Sequence, residues 1–530
     1  MEQTLLLYAF PAFVLPVVCM MDAFRVLVVS MVCLVIYVVY DFILRPKSLR
    51  AKLVKQGVNG PEPTLILGNF PDIKQIGDEA QAAGAKTRDS SEAFSLDCCS
   101  ILLPELKKWT KEFGKTFTFA LGKTQFLYVG DHELVKEMST CKSLDLGKPA
   151  YMWKERGPLL ARGILTTSKE AWVHQRKTIA PTFYIDKVKN MVGIAVESGK
   201  TLVKAWEKVI ETEGGIADIK VDDDVKTFTS SIFSMIMFGR YEAAEKVLFS
   251  KCRDLMEVSG SPTVVDGRPF HRFYPTKKHR EQWRLRKEIY SIIKDLEKKY
   301  RSQGESIIQI LAEASNHGEL GSCSPQQFIV DNCQELCIVG QEVPGNTAIW
   351  GLMLLAMHPE WQERARAEVL EICGDQPLDN EKLSKMKLMK LIIMEIVRLY
   401  PGVGFTAREA LADVQIGKSV WVPKGVNIWI WPAALHRDPE LWGPDALKFN
   451  PERFANGTPA ACKIPQSYTP FGIGPRTCPG MNLGIMELKV LYALLLPKFS
   501  FSLSPNYQHV PNFDVLLEPK YGVRLLVRRV

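Results

Sequence analysis

The residues with the clearest chemical potential are one cysteine and the glycines around it. Pro470-Phe471-Gly472-Ile473-Gly474-Pro475-Arg476-Thr477-Cys478-Pro479-Gly480 leads directly into a helical run from Met481 to Leu496. At about 5% per residue type, the pattern F-x-x-G-x-R-x-C-x-G arises by chance on the order of 10⁻⁴ times in a chain this long, so the motif is specific. A thiolate that ligates a metal must lose its proton, be shielded from oxidation and be kept from becoming too basic. Gly472, Gly474 and Gly480 permit a tight turn whose N–H groups can point at sulfur, and the start of the following helix adds positive partial charge. Arg476 suits an anionic group at the rim of a bound cofactor. A lone buried cysteine is ordinarily a small hydrophobe; this constellation sets that reading aside.

Other elements stand at spacings that support such a site. Glu395-Ile396-Val397-Arg398 places an acid and a base on one helical face, where a buried ion pair needs a further partner. Pro451-Glu452-Arg453-Phe454 carries a further cation. Trp172-Val173-His174-Gln175-Arg176 and Arg408, beyond Tyr400-Pro401, add an aromatic ring and two cations. In order along the chain, these motifs resemble the cytochrome P-450 superfamily over nearly everything after the amino-terminal segment. The resemblance implies heme b with Cys478 as the axial thiolate to iron, a ligand that favours O–O cleavage. It also implies heme-propionate contacts from Arg476, Trp172, Arg176 and Arg408, and a structural triad of Glu395, Arg398 and Arg453. The activity implied is monooxygenation by dioxygen, with electrons passed from NADPH by a flavoprotein reductase. Lys463, Arg476 and Lys489 are candidates for docking that acidic partner.

The stretches Gly163-Ile164-Leu165-Thr166-Thr167, His174-Gln175-Arg176-Lys177 and Pro423-Lys424-Gly425-Val426-Asn427-Ile428-Trp429 look most like one plant branch, the gibberellin and triterpenoid oxidases of clan seventy-two. By that analogy the substrate is a small lipophilic metabolite, a di- or triterpenoid that is hydroxylated or epoxidised.

One stretch departs from the family pattern. Where the helix across the distal face of the heme usually carries A-G-x-D/E-T-T, this chain reads Val339-Gly340-Gln341-Glu342-Val343-Pro344-Gly345-Asn346-Thr347. Val343 and Pro344 occupy both hydroxyl positions, and Pro344 removes the amide that would bond to the carbonyl of Gly340. A kink is expected there. Three readings compete: oxygenation with Glu342 as the remaining catalytic proton relay, an isomerase- or dehydratase-type rearrangement needing no proton-assisted O–O cleavage, and a non-catalytic heme-binding role.

The elements that must position these residues are mostly helical. Apolar residues recur at three- and four-residue intervals over 187–209, 280–300, 328–357 and 386–400, whereas 117–129 reads as a hairpin and 499–530 clusters β-formers. The expected fold is therefore mainly α, with one large helical domain and a small β region over residues 64–530. Residues 1–44 form an apolar amino-terminal segment. Its run from Val26, extended to Leu44, is the expected transmembrane helix, while 4–21 is either a second pass or an extension upstream of a start at Met20 or Met21. Residues 45–63 hold Arg45, Lys47, Arg50, Lys52 and Lys55 and then a stiff hinge, Asn59-Gly60-Pro61-Glu62-Pro63. The positive-inside rule keeps those cations cytosolic, so a single-pass endoplasmic reticulum protein with a cytosolic catalytic domain is expected. A net charge of +8 over 530 residues, with no basic run interleaved with aromatics, argues against nucleic acid as a partner. The 12 cysteines show no paired CxxC elements, so neither a disulfide framework nor a zinc site is expected.

Overall fold

The computed structural model describes residues 25–87, 96–260, 274–301, 306–418 and 420–530. The apolar stretch 4–21 lies outside the described residues. Arg25–Val54 forms one 30-residue helix, long and apolar enough to cross a membrane. It does not stop at the basic stretch expected to follow it. Asp41 is buried where the helix meets the body, pairing with Lys123 and, at 3.4 Å, with Arg45. The proline-rich segment is docked against the body: the amide of Thr118 donates to the carbonyl of Asn59 at 2.9 Å, and Arg50 donates to the carbonyl of Gly60 at 2.8 Å.

Helices surround Pro325–Met357, a 33-residue helix buried on nearly every face from Phe328 to Ala356. Ser324 starts it by accepting from the Gln327 amide, and Pro325 follows at a position where its missing N–H costs nothing. The helix Asp222–Phe238 crosses it, and Lys387–Leu399 and Met481–Leu495 pack beside it. Gly351 makes the last of these contacts possible, since a Cβ there would lie 1.9 Å from the hydroxyl of Tyr492. The main sheet has five strands in the order Thr116–Leu121, Thr124–Val129, Asn427–Ile430, Thr406–Ala410 and Leu146–Gly147. The hairpin expected over 117–129 forms its first two strands, and the carboxyl end supplies Phe499–Leu503, Pro511–Phe513, Leu517–Pro519 and Arg524–Arg529. Among the described residues every cysteine is free.

The long helix continues through Pro344 without interruption. Hydroxyls serve two carbonyls next to the missing amide: Thr229, from the crossing helix, donates to the carbonyl of Gln341 at 2.9 Å, and Thr347 donates to that of Val343 at 2.9 Å. The missing amide is thus accommodated without ending the helix.

Replacing Gly351 with Ala tests this packing. The substitution gains roughly 1 kcal/mol of helix propensity but forces Tyr492 aside, and overpacking costs about 1–3 kcal/mol. A lowered melting temperature of the holoprotein is the expected net result; a rise would show that the helix contact yields freely.

Candidate heme-thiolate site

The cysteine loop is a folded turn in its own right. The Cys478 amide donates to the carbonyl of Phe471 at 2.8 Å, and the Gly472 amide to that of Thr469 at 3.1 Å. Gly472 and Gly474 take φ of 80° and 64°, the left-handed region that a side chain would strain. The Cys478 side chain keeps accessible surface although surrounding atoms desolvate its sulfur, so it faces a recess and not bulk water. Burial raises the thiol's pKa, opposed by the Gly480 amide and the charge of Arg176. One amide and one cation do not outweigh desolvation; a bound metal's charge is what stabilises such a thiolate.

Cations converge beside this loop. The Arg476 guanidinium lies 4.2 Å from the centre of the Trp172 ring, and Arg176, on the helix Lys169–Ile179, donates to the carbonyl of Thr477 at 2.7 Å. Arg408 donates to the carbonyls of Ala407 and Ile473 at 2.9 and 3.2 Å. Trp172, Arg408, Ile473 and Arg476 line one cleft. Burial, aided by mutual repulsion, depresses the Arg476 pKa to about 9, and burial alone brings that of Arg408 to about 10. Lys148, which sequence reasoning missed, belongs to the same group: burial first, then Arg408 and Arg476, hold its pKa well below the usual lysine range. Nη1 of Arg476 is buried with no hydrogen-bond partner. Desolvated cations that repel one another, with one donor unspent, fit a cofactor bearing carboxylates. The propionates of heme meet that requirement.

Behind the loop stands the ExxR pair. Glu395 and Arg398 are fully buried, and Arg398 donates to both carboxylate oxygens at 2.6 and 2.8 Å. Arg453 lies 3.8 Å from Glu395 and bonds more closely to Asp445, at 2.8 and 3.0 Å, which widens the expected triad. His436 ties this support to the cysteine loop. Its Nδ1 bonds to the carbonyl of Arg398 at 3.0 Å, and its Nε2 accepts from the Thr469 amide at 2.9 Å. Burial depresses its pKa to about 3, so the ring is neutral and can accept. No spacing rule singles out His436 or Asp445, since both contacts arise from irregular backbone folding onto a helix.

On the distal side, Glu342 does not stand alone. Its carboxylate lies 2.8 Å from Lys226 Nζ and 3.3 Å from Arg253 Nε, and accepts from the Gln341 side chain at 2.6 Å. Val343 and Thr347 point instead to the loop after Tyr400: a Cβ on Gly402 would meet Val343 at 2.6 Å and the Thr347 hydroxyl at 3.3 Å. Glu342 and Val343 thus serve different surroundings. Lys463 is exposed, its backbone amide donating to the carbonyl of Leu441 at 3.1 Å, whereas the Lys489 side chain is spent on the carbonyls of Leu383 and Met386, at 2.7 and 3.4 Å.

A mainly helical domain with a cysteine loop opening into a helix and a carboxylate-seeking set of cations defines a heme-thiolate protein. The family model described as Cytochrome P450 matches residues 100–526, and the chain belongs to that family, whose members are monooxygenases that bind heme through a cysteine thiolate. Among its relatives are cytochrome P450 714C2 of Oryza sativa subsp. japonica, 44% identical over 93% of this chain and 95% of that one, and cytochrome P450 714B2 of the same plant, 40% identical over 94% of each. Cytochrome P450 714A2 of Arabidopsis thaliana is 38% identical over 90% of this chain and 93% of its own.

His436→Phe leaves the Thr469 amide and the Arg398 carbonyl without partners, at about 1–3 kcal/mol each. The expected outcome is a lower melting temperature together with partial loss of the thiolate-type Soret band in the reduced carbon monoxide adduct. An unchanged band and melting temperature would remove His436 from the loop's support.

Proposed function

We propose that this enzyme oxygenates a rigid, lipophilic plant metabolite, a di- or triterpenoid, at the cytosolic face of the endoplasmic reticulum membrane, using electrons from NADPH through a flavoprotein reductase. The plant relatives and the resemblance to gibberellin and triterpenoid oxidases support the substrate class. The apolar helix Arg25–Val54 and the cations at its carboxyl end support the membrane placement. Heme, when bound, supplies the activation of dioxygen and the electron chemistry. The chain's own residues do the rest: Cys478 would hold the iron, and Trp172, Arg176, Arg408 and Arg476 would hold the propionates.

One observation favours oxygenation over the competing readings. Glu342 begins a chain of charged groups that reaches solvent. Its side chain is 2% exposed, that of Arg253 is 24% exposed, and Asp223, 3.4 Å from Arg253, is 85% exposed. The guanidinium of Arg253 does not itself pass a proton, but a buried acid held by ion-pair partners at the edge of solvent can exchange its proton with water when a partner swings aside, the task that Val343 and Pro344 leave undone. Rearrangement without added oxygen draws its support from Val343, which presents only methyl groups where a hydroxyl is usual.

Incubation of the full-length protein with reductase, NADPH and a panel of terpenoids, followed by mass analysis, separates the two. A product heavier by one oxygen atom, formed only with NADPH and dioxygen, is expected; an isomeric product formed without them overturns the oxygenase reading. For Glu342→Gln, a several-fold rise in peroxide release per NADPH consumed is expected. Unchanged coupling would take Glu342 out of the mechanism.

A further inference from the structure

The long helix does more than cover one side of the heme site. Three of its side chains receive four consecutive backbone amides from the irregular segment that precedes the Trp172 helix. The Arg162 amide donates to Asp331 at 3.1 Å, Gly163 to Glu335 at 3.0 Å, Ile164 to Asn332 at 3.0 Å and Leu165 to Glu335 at 2.8 Å. The Thr166 hydroxyl adds a fifth bond, to Glu335 at 3.2 Å. Buried amides outside regular structure need partners, and those of residues 162–165 all find them on a single helix. The approach is close enough to demand glycine, because a Cβ on Gly163 would lie 2.5 Å from Glu335 Oε2.

From this segment the contacts lead to the cofactor side. The Thr167 hydroxyl donates to the Gln175 side chain at 2.7 Å, and Gln175 donates back to the carbonyl of Arg162 at 3.4 Å. Gln175 lies on the same helix as Trp172 and Arg176, which touch Arg476 and Thr477. Lys148 feels both ends, its charge favoured by Glu335 and disfavoured by Arg408 and Arg476.

We propose that Glu335 is a positioning residue for the heme cradle: by clamping residues 163–166 to the long helix it sets where Trp172 and Arg176 stand against the cysteine loop. The inference rests on the assignment of those two residues to the propionates. Bound this way, a displacement of the long helix is transmitted to the groups that neutralise the cofactor's carboxylates, so distal and propionate sides are mechanically coupled. Loss of a group hydrogen-bonded to a metal ligand typically changes metal affinity 10–100-fold, and Glu335, acting at a further remove, is expected at the lower end of that range.

The test uses the full chain loaded with heme, comparing wild type, Glu335→Gln, Gly163→Ala and, as a matched packing defect on the same helix, Cys333→Ala. Three readouts are taken: the rate of heme transfer to an excess of apomyoglobin, the propionate bending modes in resonance Raman spectra, and the heme reduction potential. Faster heme loss by roughly 10-fold or more, with shifted propionate modes and potential, is expected for Glu335→Gln and Gly163→Ala but not for Cys333→Ala. Glu335 variants that merely melt earlier, with propionate modes and potential as in wild type, overturn the proposal. Propionate modes that shift in Glu335→Gln but not in a Trp172→Phe, Arg176→Lys double variant would instead overturn the assignment of Trp172 and Arg176.

A pH profile gives a further check. Burial raises the Glu335 pKa from the ordinary 4.5 to about 8, against the lowering effect of the Leu165 and Gly163 amides and with Asp331 adding to the rise. Lys148 and the Thr166 hydroxyl are the other groups facing it. A folded-state pKa above the unfolded one contributes stability that is complete below pH 4.5 and is lost by about pH 8. Wild type should therefore lose stability over that window relative to Glu335→Gln, and parallel profiles would contradict the burial of the Glu335 carboxyl as a desolvated acid.

Discussion

The buried ion pair between Glu395 and Arg398 is the interaction on which the site depends. Neither side chain has access to water, and a charge in such a place is tolerable only if every donor and acceptor is matched. Arg398 meets that condition with five hydrogen bonds, two to Glu395 and three to the carbonyls of His436, Ala446 and Lys448. Those carbonyls belong to backbone with no regular ladder of its own. The pair therefore organises a long irregular segment, and through His436 it reaches Thr469 at the threshold of the cysteine loop. The loop's geometry is inherited from a charge that had nowhere else to go.

The cluster of cations beside the cysteine loop works by the opposite principle. Among the described residues Arg176, Arg408 and Arg476 form no ion pair with an acid, Lys148 feels only the field of Glu335, and burial weakens the protonated form of each. Such a group is costly until an anion completes it. On the proposed assignment cofactor binding and folding would be coupled for that reason, the carboxylates supplying what the protein withholds.

On the long helix, burial on nearly all sides leaves little freedom for a proline, and the neighbouring hydroxyls of Thr229 and Thr347 take up two carbonyls beside the defect. The same helix holds Glu342 toward Lys226 and Arg253, and Glu335 toward residues 163–166. Its two carboxylates face different partners and serve different ends. One stands in a charged chain leading to solvent, and the other secures the approach to the propionate-side helix.

The sequence by itself determined the local features. Cys478 and its glycines, the i to i+3 pair of Glu395 and Arg398, the apolar amino-terminal helix and the mainly helical fold follow from spacing, because hydrogen bonding and turn sterics act over a few residues. Even the departure at Val343-Pro344 was legible, since a missing hydroxyl and a missing amide are properties of residue type. Only the tertiary structure decided which groups those residues meet. It made Asp445 the nearer partner of Arg453, set His436 between the ion pair and the loop, added Lys148 to the cations, and turned Glu342 toward Lys226 and Arg253. The physical reason is tertiary: three of the four are contacts or fields between elements distant along the chain, the fourth joins Asp445 to Arg453 across irregular backbone, and burial, which decides whether a charge must find a partner, exists only once those elements have packed.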